Sequence, residues 1–399
     1  MPPDTAQIGA GKSAASDSAR PTGCIALGDG RVFLGRGFGA VGQATGELCF
    51  NTAMTGYQEV MTDPSYASQI VAFTFPHIGN AGTNPEDDET RAPVALGAVV
   101  RLDPTEPSNW RAHASLDTWM REAGRIGIAG IDTRRLTRAI RESGMPHAVI
   151  AHDPDGIDDA EALVEKARAW NGIEGADLAR EVTCDAPYRW TGTRWRWGEG
   201  HGEQDAPRHR VVAVDYGAKH NILRCLADVG CDITVLPATA QASDILELQP
   251  DGVFLTNGPG DPAATGDYAV PAIRGVLDAD LPVFGVCLGH QMLGLALGAK
   301  TRKMKHGHHG ANHPVKDLET GKVEITSMNH GFTVDAETLP DGVLETHRSL
   351  FDGTNCGLRL AEKPVFSVQY HPEASPGPRD SFYLFERFAA AMEARKTSR

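Results

Sequence analysis

From residue 210 onward the chain alternates short apolar runs with longer stretches whose apolar positions recur at helical spacing. The runs at 211–214, 233–236, 252–255 and 282–286 have the length of strands, and residues 219–229 and 268–277 between them read as helices. Consecutive βαβ units of this length imply a doubly wound, mostly parallel sheet. In such sheets ligands sit at the carboxyl ends of the strands.

The first half reads differently. Between residues 23 and 170, β-like runs at 24–27 and 70–73 alternate with Gly and Pro turn signals, which gives a mixed α+β pattern. One helix stands out: Asp132 is placed to cap a stretch that reaches Ile140, with Leu136 and Ile140 on one face. Residues 191–209 carry Trp, Gly and charge without a sustained period, and they suit a linker. The predicted organisation is a flexible tail over 1–22, an N-terminal domain over 23–190, that linker, and an α/β domain over 210–399.

Length fits this division, because 399 residues exceed what one ordinary core organises. No apolar run approaches the roughly 20 residues that a membrane-spanning helix needs, so no bilayer crossing is expected. A formal charge of -14 repels nucleic acid and anionic membrane surfaces and leaves neutral or zwitterionic substrates as the better fit. Seven scattered cysteines, with no C-x-x-C pair for zinc or redox work, point to a reducing, cytoplasmic compartment. The opening segment lacks the apolar stretch of a secretory signal.

The chemistry gathers at predicted strand ends. Residues 282–286 run into Gly285-Val286-Cys287-Leu288-Gly289, a G-x-C-x-G nucleophile elbow followed by helix-forming residues. A sharp strand-to-helix turn exposes the side chain at the sheet top, and the helix N-terminus favours thiolate over thiol. A lone cysteine more often packs as a small hydrophobe; the flanking glycines favour a nucleophile here. The strand predicted at 365–370 ends in His371-Pro372-Glu373. Residues two apart face the same side of extended backbone, so Glu373 can hold the His371 ring, fix its tautomer and stabilise the imidazolium. Thr256-Asn257-Gly258-Pro259-Gly260 follows another strand on the same edge, where its amides and that of Leu288 can receive a developing oxyanion.

Together these three segments resemble the class I, or triad, glutamine amidotransferase family. Within it, 50–59, 63–66, 80–84, 307–314 and 329–332 are similar to the small, glutaminase-subunit family of carbamoyl phosphate synthetases, and the likeness runs from about Gly23 to the C-terminus. The resemblance implies a Cys287, His371 and Glu373 triad. It also implies glutamine contacts at Ser65, Gly258, Gly260, Leu288, Gln291, Asn329, Gly331 and Phe332, with Ser65 reaching across from the first half. No cofactor or metal is expected in this chain. A separate large subunit, forming a heterodimer or higher assembly, is implied to bind ATP and Mg, receive the ammonia and make carbamoyl phosphate for arginine and pyrimidine synthesis. Glutaminase activity is expected to be weak until that subunit docks.

Other signals carry less. Gly11-Lys12-Ser13 mimics the end of a phosphate-binding loop, but Ala6 stands where the first Gly belongs. The G-x-G-x-x-G at 37–42 runs into a β-like segment and reads as a turn. His306, His308, His309 and His313 lie in what reads as a Gly-rich loop, without helical ligand spacing for a metal. The rival functions are an amidotransferase serving another synthase, a glutamine-binding module without catalysis, and a peptidase-like cysteine hydrolase.

Overall fold

The computed structural model describes residues 20–397. The predicted tail, apart from its last three residues, and the Gly11-Lys12-Ser13 segment lie outside the described residues. The first half closes seven strands into a barrel: β1 (Gly23–Leu27), β2 (Val32–Gly39), β3 (Gly42–Asn51), β4 (Gln69–Phe73), β5 (Gly97–Val99), β6 (Ile126–Ala129) and β7 (His147–His152). Their order around the wall is β1-β2-β6-β5-β4-β3-β7, and β7 pairs back onto β1.

Alternation explains how a short strand serves two cores. In β1, Ile25 and Leu27 point into the barrel with Leu48, Ile70, Val99 and Ile150. Cys24 and Ala26 point outward onto Leu163, Val164 and Ala167 of the helix Ala160–Arg168. The helix expected after Asp132 spans Thr133–Ser143; the Asp132 carboxylate accepts from the Arg135 N–H at 3.1 Å, and Leu136 and Ile140 are buried. The glycines at 37–42 end β2 and open β3, a strand–turn–strand as expected.

The second half is a ten-stranded sheet in the order β16-β15-β17-β18-β19-β14-β13-β11-β12-β8. Its centre is the expected parallel, doubly wound array of β11 (His209–Asp215), β12 (Cys231–Pro237), β13 (Gly252–Leu255), β14 (Val283–Val286) and β19 (Val365–Val368). Val211 and Ala213 of β11 face a layer formed by the helices His220–Asp228 and Tyr383–Thr397. Val212 and Val214 face the opposite layer, built from Ala242–Glu247, Pro262–Asp278 and Leu288–Leu297. Helices thus cover both faces, and the strand tips stay free to carry loops.

Three segments depart from expectation. Residues 191–209, read as a linker, instead form a hairpin of β9 (Gly192–Arg196) and β10 (Gly200–Glu203), and just before it β8 (Tyr188–Trp190) pairs antiparallel with β12 as the sheet edge. Strands this short leave no period to read. Tertiary contacts hold them: Arg194 pairs with Asp228 at 2.5 Å, and the Arg111 guanidinium lies 4.9 Å above the Trp195 ring. The His-rich segment is not a loop but part of β15 (Thr301–Asp317), paired with β16 (Val323–Val334). Its glycines allow the register shifts that break the strand alternation. The helix expected at 268 begins at Pro262 on an Asp261 cap. The remaining strands, β17 (Val343–Ser349) and β18 (Asn355–Leu360), join β15 to β19. Among the described residues no helix is long and apolar enough to cross a membrane, and all seven cysteines are free thiols.

Candidate active site

Strand β14 ends at Val286, and the next residue, Cys287, takes φ 55 and ψ -103 before the helix Leu288–Leu297 begins. A side chain in that left-handed region is strained and rare, and it persists only where neighbours fix the backbone. Here the Cys287 N–H donates to the Val368 carbonyl at 2.9 Å and the Gly289 N–H to the Thr256 carbonyl at 2.9 Å. A Cβ at Gly289 would lie 2.1 Å from the Leu255 carbonyl oxygen, so this elbow requires glycine two residues after the cysteine. The Cys287 thiol donates to the Asn329 carbonyl at 3.5 Å.

Because β14 and β19 are parallel neighbours with Val286 opposite Val368, the chain leaving β19 passes beside the elbow. It carries His371, whose N–H is anchored on the Ser327 carbonyl at 2.9 Å. The ring Nδ1–H donates to Glu373 Oε1 at 2.8 Å, and both side chains are buried. Nε2 is buried too and has no partner that meets hydrogen-bond geometry. Burial and the nearby Lys219 ammonium push the ring's pKa down, but the Glu373 carboxylate and the Cys287 sulfur outweigh them and raise it to about 10. Glu373 is itself held down to about 2: burial opposes, and Lys219 and His371 prevail.

The sequence-predicted contacts converge on this sulfur. A small cavity of about 40 Å³ is lined by Cys287 together with Ser65, Gly258, Gly260, Gln291, Asn329, Gly331 and Phe332. Leu288 does not line it; its side chain is in the core beneath the elbow. Ser65 Oγ accepts from Asn257 Nδ2 at 2.9 Å, which joins the barrel half to the loop after β13. Gln291 Nε2 donates to the Phe332 carbonyl at 2.8 Å and to Gln369 Oε1 at 3.1 Å.

The comparisons with known proteins fall on the same two halves. Residues 25–150 match the family described as carbamoyl-phosphate synthase small chain, CPSase domain, and residues 212–391 match glutamine amidotransferase class-I. The carbamoyl phosphate synthase small chain of Ruegeria pomeroyi is 70% identical over 378 residues, covering 94% of this chain and 97% of that one. Those of Bradyrhizobium diazoefficiens (62% identical, 95% and 97% covered) and Caulobacter vibrioides (62%, 94% and 98%) follow. The chain belongs to the carbamoyl phosphate synthase small-chain family. With its class-I glutamine amidotransferase domain over residues 212–391, this chain is a glutamine-hydrolysing enzyme.

Within this small chain, two site residues escaped the sequence. Lys219 Nζ lies 2.5 Å from Glu373 Oε1 and 3.8 Å from Asp63 Oδ2. Asp63 in turn accepts from the Ser65 N–H at 2.9 Å and from Asn329 Nδ2 at 3.3 Å. A signal for Lys219 existed: it follows β11 by four residues, on the sheet edge where ligands bind. Asp63 lay within the 63–66 segment marked by family likeness, but nothing there gave it a role. Among the described residues no group of three or more His, Cys, Asp or Glu could hold a metal ion. Instead His308 spans from Asp352 at 3.0 Å to His330 at 3.2 Å, and His309 Nδ1 bonds Asn329 Oδ1 at 2.8 Å.

The pKa shifts fix a direction for stability. His371 is raised above its ordinary 6.5, so the stability it adds is complete below that pH and is lost as pH rises toward about 10. Thermal midpoints of the wild type and His371→Asn should therefore differ most near pH 6.5 and converge by about pH 10. A gap that widens with rising pH contradicts the pairing.

Proposed function

We propose that the small chain hydrolyses glutamine through Cys287, His371 and Glu373 and passes the ammonia to a large synthetase subunit. The observation that carries this is one buried imidazole with Glu373 on Nδ1 and an unpartnered Nε2, close enough for its proton affinity to be raised by the sulfur of a strained strand-to-helix elbow. The proton of the thiol rests on His371, whose raised pKa keeps it there at neutral pH, and the thiolate attacks the side-chain amide carbon. Amides of the Gly258 loop and of Leu288 receive the oxyanion. The tetrahedral carbon then expels ammonia, which takes the proton from His371, and leaves a glutamyl thioester. Water, deprotonated by the same ring, releases glutamate and restores the thiol. Glu373 and Lys219 hold the ring in the tautomer this needs.

At about 40 Å³ the cavity is tight for glutamine. That suits an enzyme idle until a partner docks. By the same reading the large subunit holds ATP and Mg in the cytoplasm and turns ammonia and bicarbonate into carbamoyl phosphate. Mixing the complex with glutamine and quenching in acid should give a glutamyl adduct on the peptide that contains Cys287. An adduct on another residue, or none while ammonia is being released, defeats the proposal.

A further inference from the structure

The helix His220–Asp228 begins without a side-chain cap of its own. Its N-cap residue is Lys219, whose ammonium is engaged by Glu373 and which has no side-chain oxygen to offer the helix amides. The acceptor comes instead from the other half. Glu89, two residues beyond the turn Pro85–Asp87 of the barrel half, is buried, with 4% of its surface exposed. Its Oε2 accepts from the Asn221 N–H at 2.9 Å, and its backbone carbonyl accepts from the His220 N–H at 2.9 Å. Those are two of the amides that the start of a helix leaves unpaired. Glu89 is tied down in turn, its own N–H donating to Thr62 Oγ1 at 2.9 Å.

One residue joins this cap to the triad. Glu89 holds the backbone of Asn221, and the Asn221 side chain donates from Nδ2 to the Glu373 carbonyl. Lys219, two positions earlier in the same turn, pairs with the Glu373 carboxylate. Around the Lys219 ammonium stand Glu373, Asp63 and Glu89, two of them from the barrel half, and the Arg224 guanidinium of the same helix acts on Glu89 as well. Burial raises the Glu89 carboxyl's pKa, and Lys219 and Arg224 oppose the rise. A staple between the halves could engage any amide along the seam. This one engages the turn from which both supports of Glu373 project.

We infer that Glu89 is a positioning residue for the triad: by capping the helix from the barrel half, it holds Lys219 and Asn221 on Glu373 and, through Glu373, sets the His371 ring. Glu89, Lys219 and Asn221 do not line the cavity beside Cys287, so the effect falls on the chemistry and not on glutamine's binding. The inference rests on the glutaminase function proposed above and adds the requirement that the barrel half complete the general base.

The test uses the complex with its large subunit and follows ammonia release from glutamine across pH in two variants. Glu89→Ala removes the capping carboxylate, and Glu89→Gln keeps the volume and one oxygen while removing the charge. Loss of a helix cap corresponds to about 2- to 30-fold, so kcat of Glu89→Ala should fall by that factor while KM holds. Glu89→Gln should lose less. In both, the alkaline limb of kcat/KM, which His371 sets at about 10, should move to lower pH, because a negative charge that favours the imidazolium has gone. Synthesis from added ammonia should persist and reports an assembled complex. A limb that stays put in both variants marks Glu89 as merely structural and overturns the inference, as does a loss carried by KM alone. If Glu89→Ala does not assemble, the limb of Glu89→Gln decides. A wild-type complex that releases no ammonia from glutamine defeats the glutaminase function itself, a distinguishable result.

Discussion

Replacing Cys287 by serine is expected to abolish glutamine-dependent carbamoyl phosphate synthesis by the assembled enzyme and leave synthesis from added ammonia intact. The substitution exchanges one small buried side chain for another, and the elbow's backbone bonds to Val368 and Thr256 do not involve the sulfur. Folding should survive. What is lost is the nucleophile: a serine hydroxyl gains far less from the same imidazole because its oxygen resists deprotonation at neutral pH. Nucleophile removal in comparable triads costs on the order of 10⁴-fold or more in rate. Paired assays with glutamine and with ammonium chloride decide the matter. Retained use of glutamine would sink the assignment of Cys287, and loss of both activities would point to a broken assembly instead.

Gly258→Ala should also be damaging, though less so, for a steric reason. A Cβ there would stand 2.1 Å from the Tyr216 carbonyl oxygen and 2.9 Å from Leu288 Cδ2. The first neighbour is backbone at the tip of β11 and cannot swing aside, so the loop must move away from the cavity that Gly258 lines. Overpacking of this kind costs about 1–3 kcal/mol in stability. Displacing a binding loop by about 1 Å costs on the order of 100-fold in turnover. Glutamine kcat/KM should fall by that order, ammonia-dependent synthesis should persist, and the thermal midpoint should drop. A variant with wild-type glutamine kinetics would show that the loop has no part in the site.

Most of the catalytic edge was legible in the sequence because parallel α/β units obey local rules. Continuous apolar runs gave β11 to β14, and the motifs after them fell on strand ends, where the topology brings Cys287, Gly258 and His371 together. The barrel was harder. Its strands mix parallel and antiparallel neighbours, and β5 and β6 are three and four residues long, too short for any period. Segment 191–209 was hard for the same reason, since β9 and β10 are too short for any period, and β8 just before it is defined by a partner distant in sequence, β12. Lys219, and with it the role of Asp63, stayed hidden because buried polar residues in contact look, one at a time, like ordinary surface charge or turn chemistry. Ser65 was marked only by family likeness; in the structure it lines the cavity, held by Asn257 Nδ2 and the Asp63 turn.

Asp63 belongs to the barrel half yet grips Lys219 and Asn329 of the other. A change at 63 therefore disturbs contacts at 219 and 329 in the other half. A chimera made by exchanging first halves between distant relatives would inherit part of its substrate handling from the donor that lacks the nucleophile. Heredity should treat the pair as one unit, even though each folds around its own interior.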